Sequence, residues 1–207
     1  MSHSNATEFS LATDRDPDFG PDREMSESDF LAVKNVLGEQ AAGSLRADGY
    51  LAPAVYLVTL GEAPGEVKRI GIMPVGQLVN QPQGKDIIVQ IMEKMLTDAN
   101  HDFVVFSHEA WVLKPNVDPA NPGAALAAAH EAAKQSLEHH PDRGEAIVMQ
   151  LRSKTRAALC ISGFTRDADG DLAAIEDGEL IFADAPGSSM QGRMAPPAAR
   201  RRGETLH

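Results

Sequence analysis

Residues Asp102–Leu113 read DFVVFSHEAWVL, a long run of strand-forming residues. Its first half, Phe103–Phe106, is apolar at every position, which is typical of a strand that is covered on both faces. The following Lys114-Pro115 stops the strand, because proline cannot donate to a ladder of backbone hydrogen bonds. We therefore expect a long strand near the centre of a sheet.

The segments before this strand predict a helix, a β-hairpin and a second helix. Ser26 is a good helix N-cap and Asp29 follows three positions later, as in a capping box. The turn-forming stretch Gly61–Gly65 separates two runs of strand-forming residues. The predicted elements are a helix at 27–47, strands at 54–60 and 66–73, a loop at 74–84 and a helix at 85–99.

The segments after residue 142 predict a β-meander. Asp169-Gly170 and Asp177-Gly178 are typical of tight hairpins, and apolar residues flank both. The predicted strands lie at 145–151, 155–164, 171–176 and 179–184. Hairpins with few helices indicate an α+β fold, with an antiparallel sheet of about seven strands and two or three helices packed on one face.

The two ends of the chain differ in composition from the middle. Residues 1–24 are acidic and residues 186–207 are basic, and both contain chain-breaking residues, so we expect two disordered tails. Residues 25–185 are predicted to form a single domain. Within it, an alanine-rich stretch at about 116–142 predicts a mobile helical insertion.

The overall composition limits the possible functions. With 30 acidic and 19 basic residues, the net charge is −11. Broad nucleic-acid surfaces need excess positive charge, so only a weak contact by the Arg200–Arg202 tail stays open. The single cysteine, Cys160, excludes an intramolecular disulfide and a cysteine-based zinc site. No apolar stretch is long enough to span a membrane, and we expect a soluble cytoplasmic protein with no cofactor and no membrane partner.

The candidate functional residues lie on either side of the alanine-rich stretch. Glu109 and Trp111, the only tryptophan, belong to the long strand, and Asp142, Arg143 and Glu145 open the next one. If the two strands are neighbours, these five side chains come together. The sequence therefore predicts one polar and aromatic cluster at the base of the insertion.

Three interpretations of the cluster remain open. In the first, Arg143 forms a salt bridge with Glu109, and Trp111 fills the edge of the core. In the second, Trp111 and Arg143 anchor a binding surface, since both residue types are enriched at interaction hot spots. In the third, His108 and His140 join the carboxylates around a divalent metal ion, although the spacing matches no known metal motif.

A resemblance accompanies these motifs. The strand with Glu109-Ala110-Trp111, followed by a strand that opens with His140-Pro141-Asp142-Arg143-x-Glu145, resembles a family of uncharacterised prokaryotic and phage proteins. The resemblance covers about residues 85–165. The family has no assigned activity, so the resemblance implies a phage or mobile-element origin and no chemistry.

We expect a protein-interaction module, or a small accessory or inhibitor protein, rather than an enzyme. One alternative is a metal-dependent hydrolase that uses the acidic and histidine residues beside the insertion. The other is a self-associating structural protein, because unpaired sheet edges can pair between chains. The sequence leaves the partner, the oligomeric state and the strand order open.

Overall fold

A computed structural model of the chain describes residues 24–98, 101–113 and 143–183. The predicted tails and the predicted insertion lie outside these ranges, apart from Glu24. The described elements are α1 (Glu27–Asp48), β1 (Ala54–Leu60), β2 (Val67–Pro74), α2 (Gly76–Val79), α3 (Gly84–Asp98), β3 (Phe103–Leu113), β4 (Arg143–Arg152), β5 (Ala157–Arg166), β6 (Leu172–Ile175) and β7 (Leu180–Phe182).

The described strands form one sheet in the order β2-β1-β3-β4-β5-β6, and β7 also pairs with β5. Every pairing is antiparallel. This confirms the predicted α+β class and the antiparallel sheet of about seven strands. β3 pairs with β1 only through Phe103–Ser107, whereas it pairs with β4 from Val104 to Leu113. The end of the β3–β4 pair therefore extends beyond β1.

The helices lie on both faces of the sheet, which corrects the prediction that they share one face. Phe30 of α1 belongs to the same buried cluster as Val105, whereas Met92 of α3 packs with Val104. Successive side chains of a strand point to opposite faces. Because Phe103–Phe106 is apolar at every position, each face of β3 needs a cover.

Hydrogen bonds fix both ends of α1. The Ser26 hydroxyl accepts from the backbone N–H of Asp29 at 3.2 Å, and the Asp29 carboxylate accepts from the backbone N–H of Ser26 at 3.0 Å. The same carboxylate accepts from the N–H of Gly65 at 3.1 Å, which ties the start of the helix to the β1–β2 turn. The helix ends at Gly49, whose φ of 74° is left-handed and whose N–H donates to the carbonyl of Leu45.

Two of the predicted turns are confirmed. Gly65 in the β1–β2 turn and Gly170 in the β5–β6 turn have φ of 74° and 90°, which favours glycine. In the second turn, the Asp167 carboxylate accepts from the backbone N–H groups of Asp169 and Asp171 at 3.0 Å each. The predicted loop at 74–84 contains the short helix α2.

The predicted hairpin at Asp177-Gly178 is wrong. β6 pairs with Phe164–Arg166 and β7 pairs with Ala158–Cys160, so the two strands follow one another along the same edge of β5. The φ of Gly178 is not positive, as a type I′ turn would require. Glycine is needed there because a Cβ would lie 2.6 Å from the carbonyl oxygen of Ile161.

We expect Phe30→Ala to lower the free energy of unfolding by about 3–5 kcal/mol. The Phe30 ring is fully buried, and its centroid lies 4.7 Å from that of Phe103 and 5.1 Å from that of Phe182. Urea denaturation followed by circular dichroism measures the loss. Leu31→Ala on the same helix removes an exposed side chain and should cost no more than about 0.5 kcal/mol. Equal losses for the two variants would contradict the packing of α1.

Candidate functional site

The predicted cluster lies where β3 and β4 extend beyond β1. Trp111 is directly opposite Glu145 in the β3–β4 register, and Arg143 is a diagonal neighbour of Trp111. Because side chains alternate along a strand, Glu109, Trp111, Arg143 and Glu145 share one face of the sheet, the face that carries α1. Asp142 lies outside the described residues.

Arg166, at the end of β5, binds the two carboxylates of the cluster. Its Nε lies 3.2 Å from Oε2 and 3.3 Å from Oε1 of Glu145, and its Nη2 lies 3.7 Å from Oε2 of Glu109. Its Nη1 donates to the carbonyl oxygens of Gly49 at 2.9 Å and Gly170 at 3.3 Å. One guanidinium group therefore ties three strands to the end of α1.

The first interpretation, an Arg143–Glu109 salt bridge beside a core tryptophan, is wrong. Arg166 pairs with Glu109, and the guanidinium carbon of Arg143 instead lies 4.3 Å from the centroid of the Trp111 ring. Trp111 is 42% exposed. The strand register explains the difference, since β5 brings a second arginine beside the carboxylates.

Tyr50 adds an aromatic side chain that the sequence analysis did not single out. The backbone N–H of Leu51 donates to Oε1 of Glu109, and the carbonyl of Gly49 accepts from Arg166. Tyr50 lies between Gly49 and Leu51, whose backbone groups make these two hydrogen bonds. A single tyrosine after a helix C-cap has no pattern that could have marked it.

We group Tyr50, Trp111 and Arg143 as the aromatic surface, because the backbone on either side of Tyr50 contacts the Glu109–Arg166 pair beside Trp111. Tyr50 is 60% exposed, and Arg143 is exposed over the ring of Trp111. The carboxylates next to this surface are already bound by Arg166. The aromatic surface therefore presents two ring systems and one cation to solvent.

His108 lies on the opposite face of β3 from Glu109 and Trp111. Its ring centroid is 4.7 Å from that of Phe106, and its Nδ1–H donates to the carbonyl oxygen of Glu109 at 2.8 Å. Burial lowers the pKa of His108, the hydrogen bond to the carbonyl raises it, and the charge of Lys85 lowers it further. The net effect keeps the imidazole neutral near pH 7.

The metal interpretation stays a hypothesis. Among residues 24–98, 101–113 and 143–183, no group of three or more His, Cys, Asp or Glu side chains is placed to hold a metal ion. The strand places His108 on the face opposite the Glu109 and Glu145 carboxylates. The second predicted ligand, His140, lies outside the described residues.

A groove of about 340 Å³ separates α1 from strands β4, β5 and β6. Ile147, Met149 and Ile175 contribute apolar lining from the sheet. Lys34 of α1 also lines the groove, is only 6% exposed and forms an ion pair with Asp177. No sequence pattern marks this site, because Lys34 follows the buried Val33 and nothing local indicates that a lysine here is buried.

No protein-family model matches the chain, and neither does any curated protein or solved structure. The resemblance noted in the sequence therefore rests on its two short motifs. In the part of the chain that the structure describes, no helix is both long and apolar enough to cross a bilayer.

We expect Arg166→Met to lower the free energy of unfolding by about 1–3 kcal/mol, since it leaves two partly buried carboxylates without their cation. Arg166→Lys should restore only part of the loss, because one ammonium group cannot reproduce the guanidinium fork. Urea denaturation measures both. Arg143→Met, the matched control, removes an exposed cation that stacks on Trp111 and should cost less than about 1 kcal/mol. The network assignment fails if the Arg143 variant is the less stable of the two methionine variants.

We expect the stability of the protein to fall as the pH is lowered below about 6.5, in part through His108. Its pKa is lower in the folded chain than its ordinary value of 6.5. Below that value the unfolded chain binds the proton more readily than the folded chain, so protonation favours unfolding. His108→Gln should flatten the dependence of the melting temperature on pH between about 7.5 and 5.5. Identical slopes for both proteins would rule out this contribution.

Proposed function

We propose that the protein is an interaction module that binds a protein partner through the aromatic surface. The observation that carries the proposal is the exposure of Trp111, which is 42% accessible although the guanidinium group of Arg143 packs over its ring. Tryptophan, tyrosine and arginine are the residue types most enriched at binding hot spots. Arg143 and Trp111 are in contact on one face of the sheet, and the backbone on either side of Tyr50 contacts the adjoining Glu109 and Arg166.

The rigidity of the support favours binding. Trp111 and Arg143 stand on paired strands, and Arg166 fixes those strands to the backbone at Gly49. Side chains that are already ordered lose less conformational entropy when a partner binds. The strands that carry Trp111 and Arg143 are therefore fixed before any partner arrives.

The charge pattern indicates what a partner should carry. Glu109 and Glu145 are bound to Arg166, and within the described ranges Arg143 has no carboxylate partner. A partner that places an acidic or carbonyl oxygen on Arg143, and an apolar group on Trp111, would complement the surface.

Affinity co-purification from an extract of the source organism tests the proposal, with tagged wild type, Trp111→Ala and Ile72→Ala in parallel. Ile72 is the matched control, since it is also exposed but lies on the edge strand β2. We expect wild type and Ile72→Ala to retain one protein in stoichiometric amount and Trp111→Ala to lose it. With that partner purified, the affinity of Trp111→Ala should be about 30-fold weaker or more, as at a hot spot.

Circular dichroism and melting temperature establish that each variant is folded before the capture is interpreted. A partner that all three proteins retain equally would contradict a site at Trp111. A folded wild type that retains no protein in stoichiometric amount would count against the interaction module as a whole.

A further inference from the structure

The groove beside α1 contains a buried cation whose partner comes from the surface. Lys34 is 6% exposed, and its ammonium group pairs with Asp177, whose side chain is 90% exposed. A buried ammonium group needs a compensating acceptor, and it has three N–H donors to offer. The side chain of Asp177 is 90% exposed, so its carboxylate reaches the buried ammonium group from the solvent side. A carboxylate that arrives from solvent can compete with Asp177 for the same group.

Small residues of α1 keep the groove open. Gly38 and Ala42 line it, and a Cβ at Gly38 would meet only the Met149 methyl group, at 4.0 Å. Alanine would thus fit at position 38 and would favour the helix, since glycine inside a helix is destabilising. Glycine at position 38 therefore makes the helix less stable than alanine would, and it leaves the groove wider.

The sheet supplies an apolar floor next to the cation. Ile147 and Met149 are buried core residues of β4, and Ile175 of β6 completes the floor. The hydroxyl of Ser162, also buried, lines the same groove. The groove thus combines an apolar floor with polar and charged side chains at its walls, a combination that suits an amphipathic small molecule.

We propose that this groove binds a small amphipathic monocarboxylate. Its carboxylate replaces that of Asp177 on Lys34, and its hydrocarbon part lies on Ile147, Met149 and Ile175. The ion pair with Asp177 shows that Lys34 binds a carboxylate at this position, here one that the chain itself supplies. The proposal concerns a separate site and does not depend on the aromatic surface.

The charges at the rim favour one carboxylate over two. Glu39 and Glu176 line the exposed side of the groove, with Arg46 as the basic residue among them. Two acidic groups against one basic group leave the rim negative. A second carboxylate at that end of the ligand would be repelled.

Titration with octanoate, below its micelle concentration, tests the proposal, with octanol as the uncharged control. Methyl NMR of the methionines reports binding at Met149, and calorimetry gives the affinity. We expect octanoate to shift the Met149 methyl signal and to bind at least about tenfold more tightly than octanol. No shift of that signal up to about 10 mM octanoate, or equal binding of the two probes, would overturn the assignment.

Three substitutions separate the parts of the site. Lys34→Met should weaken octanoate binding at least about tenfold, and Asp177→Asn should strengthen it about twofold to fivefold by removing the competing carboxylate. Gly38→Leu should abolish binding by filling the groove. Gly43→Leu is its matched control, since Gly43 is an exposed glycine of the same helix with open space around it.

Each result either supports or opposes the site. If Lys34→Met or Asp177→Asn fails to fold, the two glycine variants still decide, because neither changes a charge. Weaker binding by Asp177→Asn, or equal binding by the Gly38 and Gly43 variants, would overturn the proposal.

Discussion

β1 and the first half of β3 are apolar on both of their faces, and a strand of this kind cannot lie against water. Buried residues occupy six of the seven positions of β1, and all of Phe103–Ser107 is buried. Each face of this strand pair must therefore be covered, and the chain supplies α1 for one face and α3 for the other. The arrangement of the helices follows from this requirement, since the hydrophobic effect scales with the apolar area removed from water.

Both proposed binding sites arise where this cover ends. β3 continues past its pairing with β1, and the exposed side chains of Trp111 and Arg143 lie on this extension of the β3–β4 pair. On the same face, α1 stands away from β4, β5 and β6, and the groove fills the gap. Among the described elements α1 alone covers this face, a helix of 22 residues is too short for a sheet of seven strands, and both proposed sites lie at its margins.

Local patterns predicted the local structure well. The capping box at Ser26, the turn glycines and the alternation of the strands gave the elements to within a few residues, because their causes lie between neighbours in sequence. The hairpin predicted at Asp177-Gly178 was wrong because a glycine can be needed either for a tight turn or for close packing against another strand, here β5. At the site, the sequence brought Trp111 and Arg143 together correctly. It could not identify Arg166 or Lys34, since their partners depend on the strand order and on which helix covers which face.

The charged contacts that escaped the sequence analysis are also the ones that close the fold. Lys34 and Asp177 are 143 residues apart in the chain, and Arg166 and Gly49 are 117 apart. Both contacts join α1, near the start of the described chain, to the strands at its end. Contacts so distant in sequence form only after loop closure, at a cost in chain entropy. The aromatic surface and the groove therefore depend on the same docking of β5 to β7 against α1. A change that loosens this docking should affect both sites together, whereas a change at Trp111 or Gly38 should affect only one.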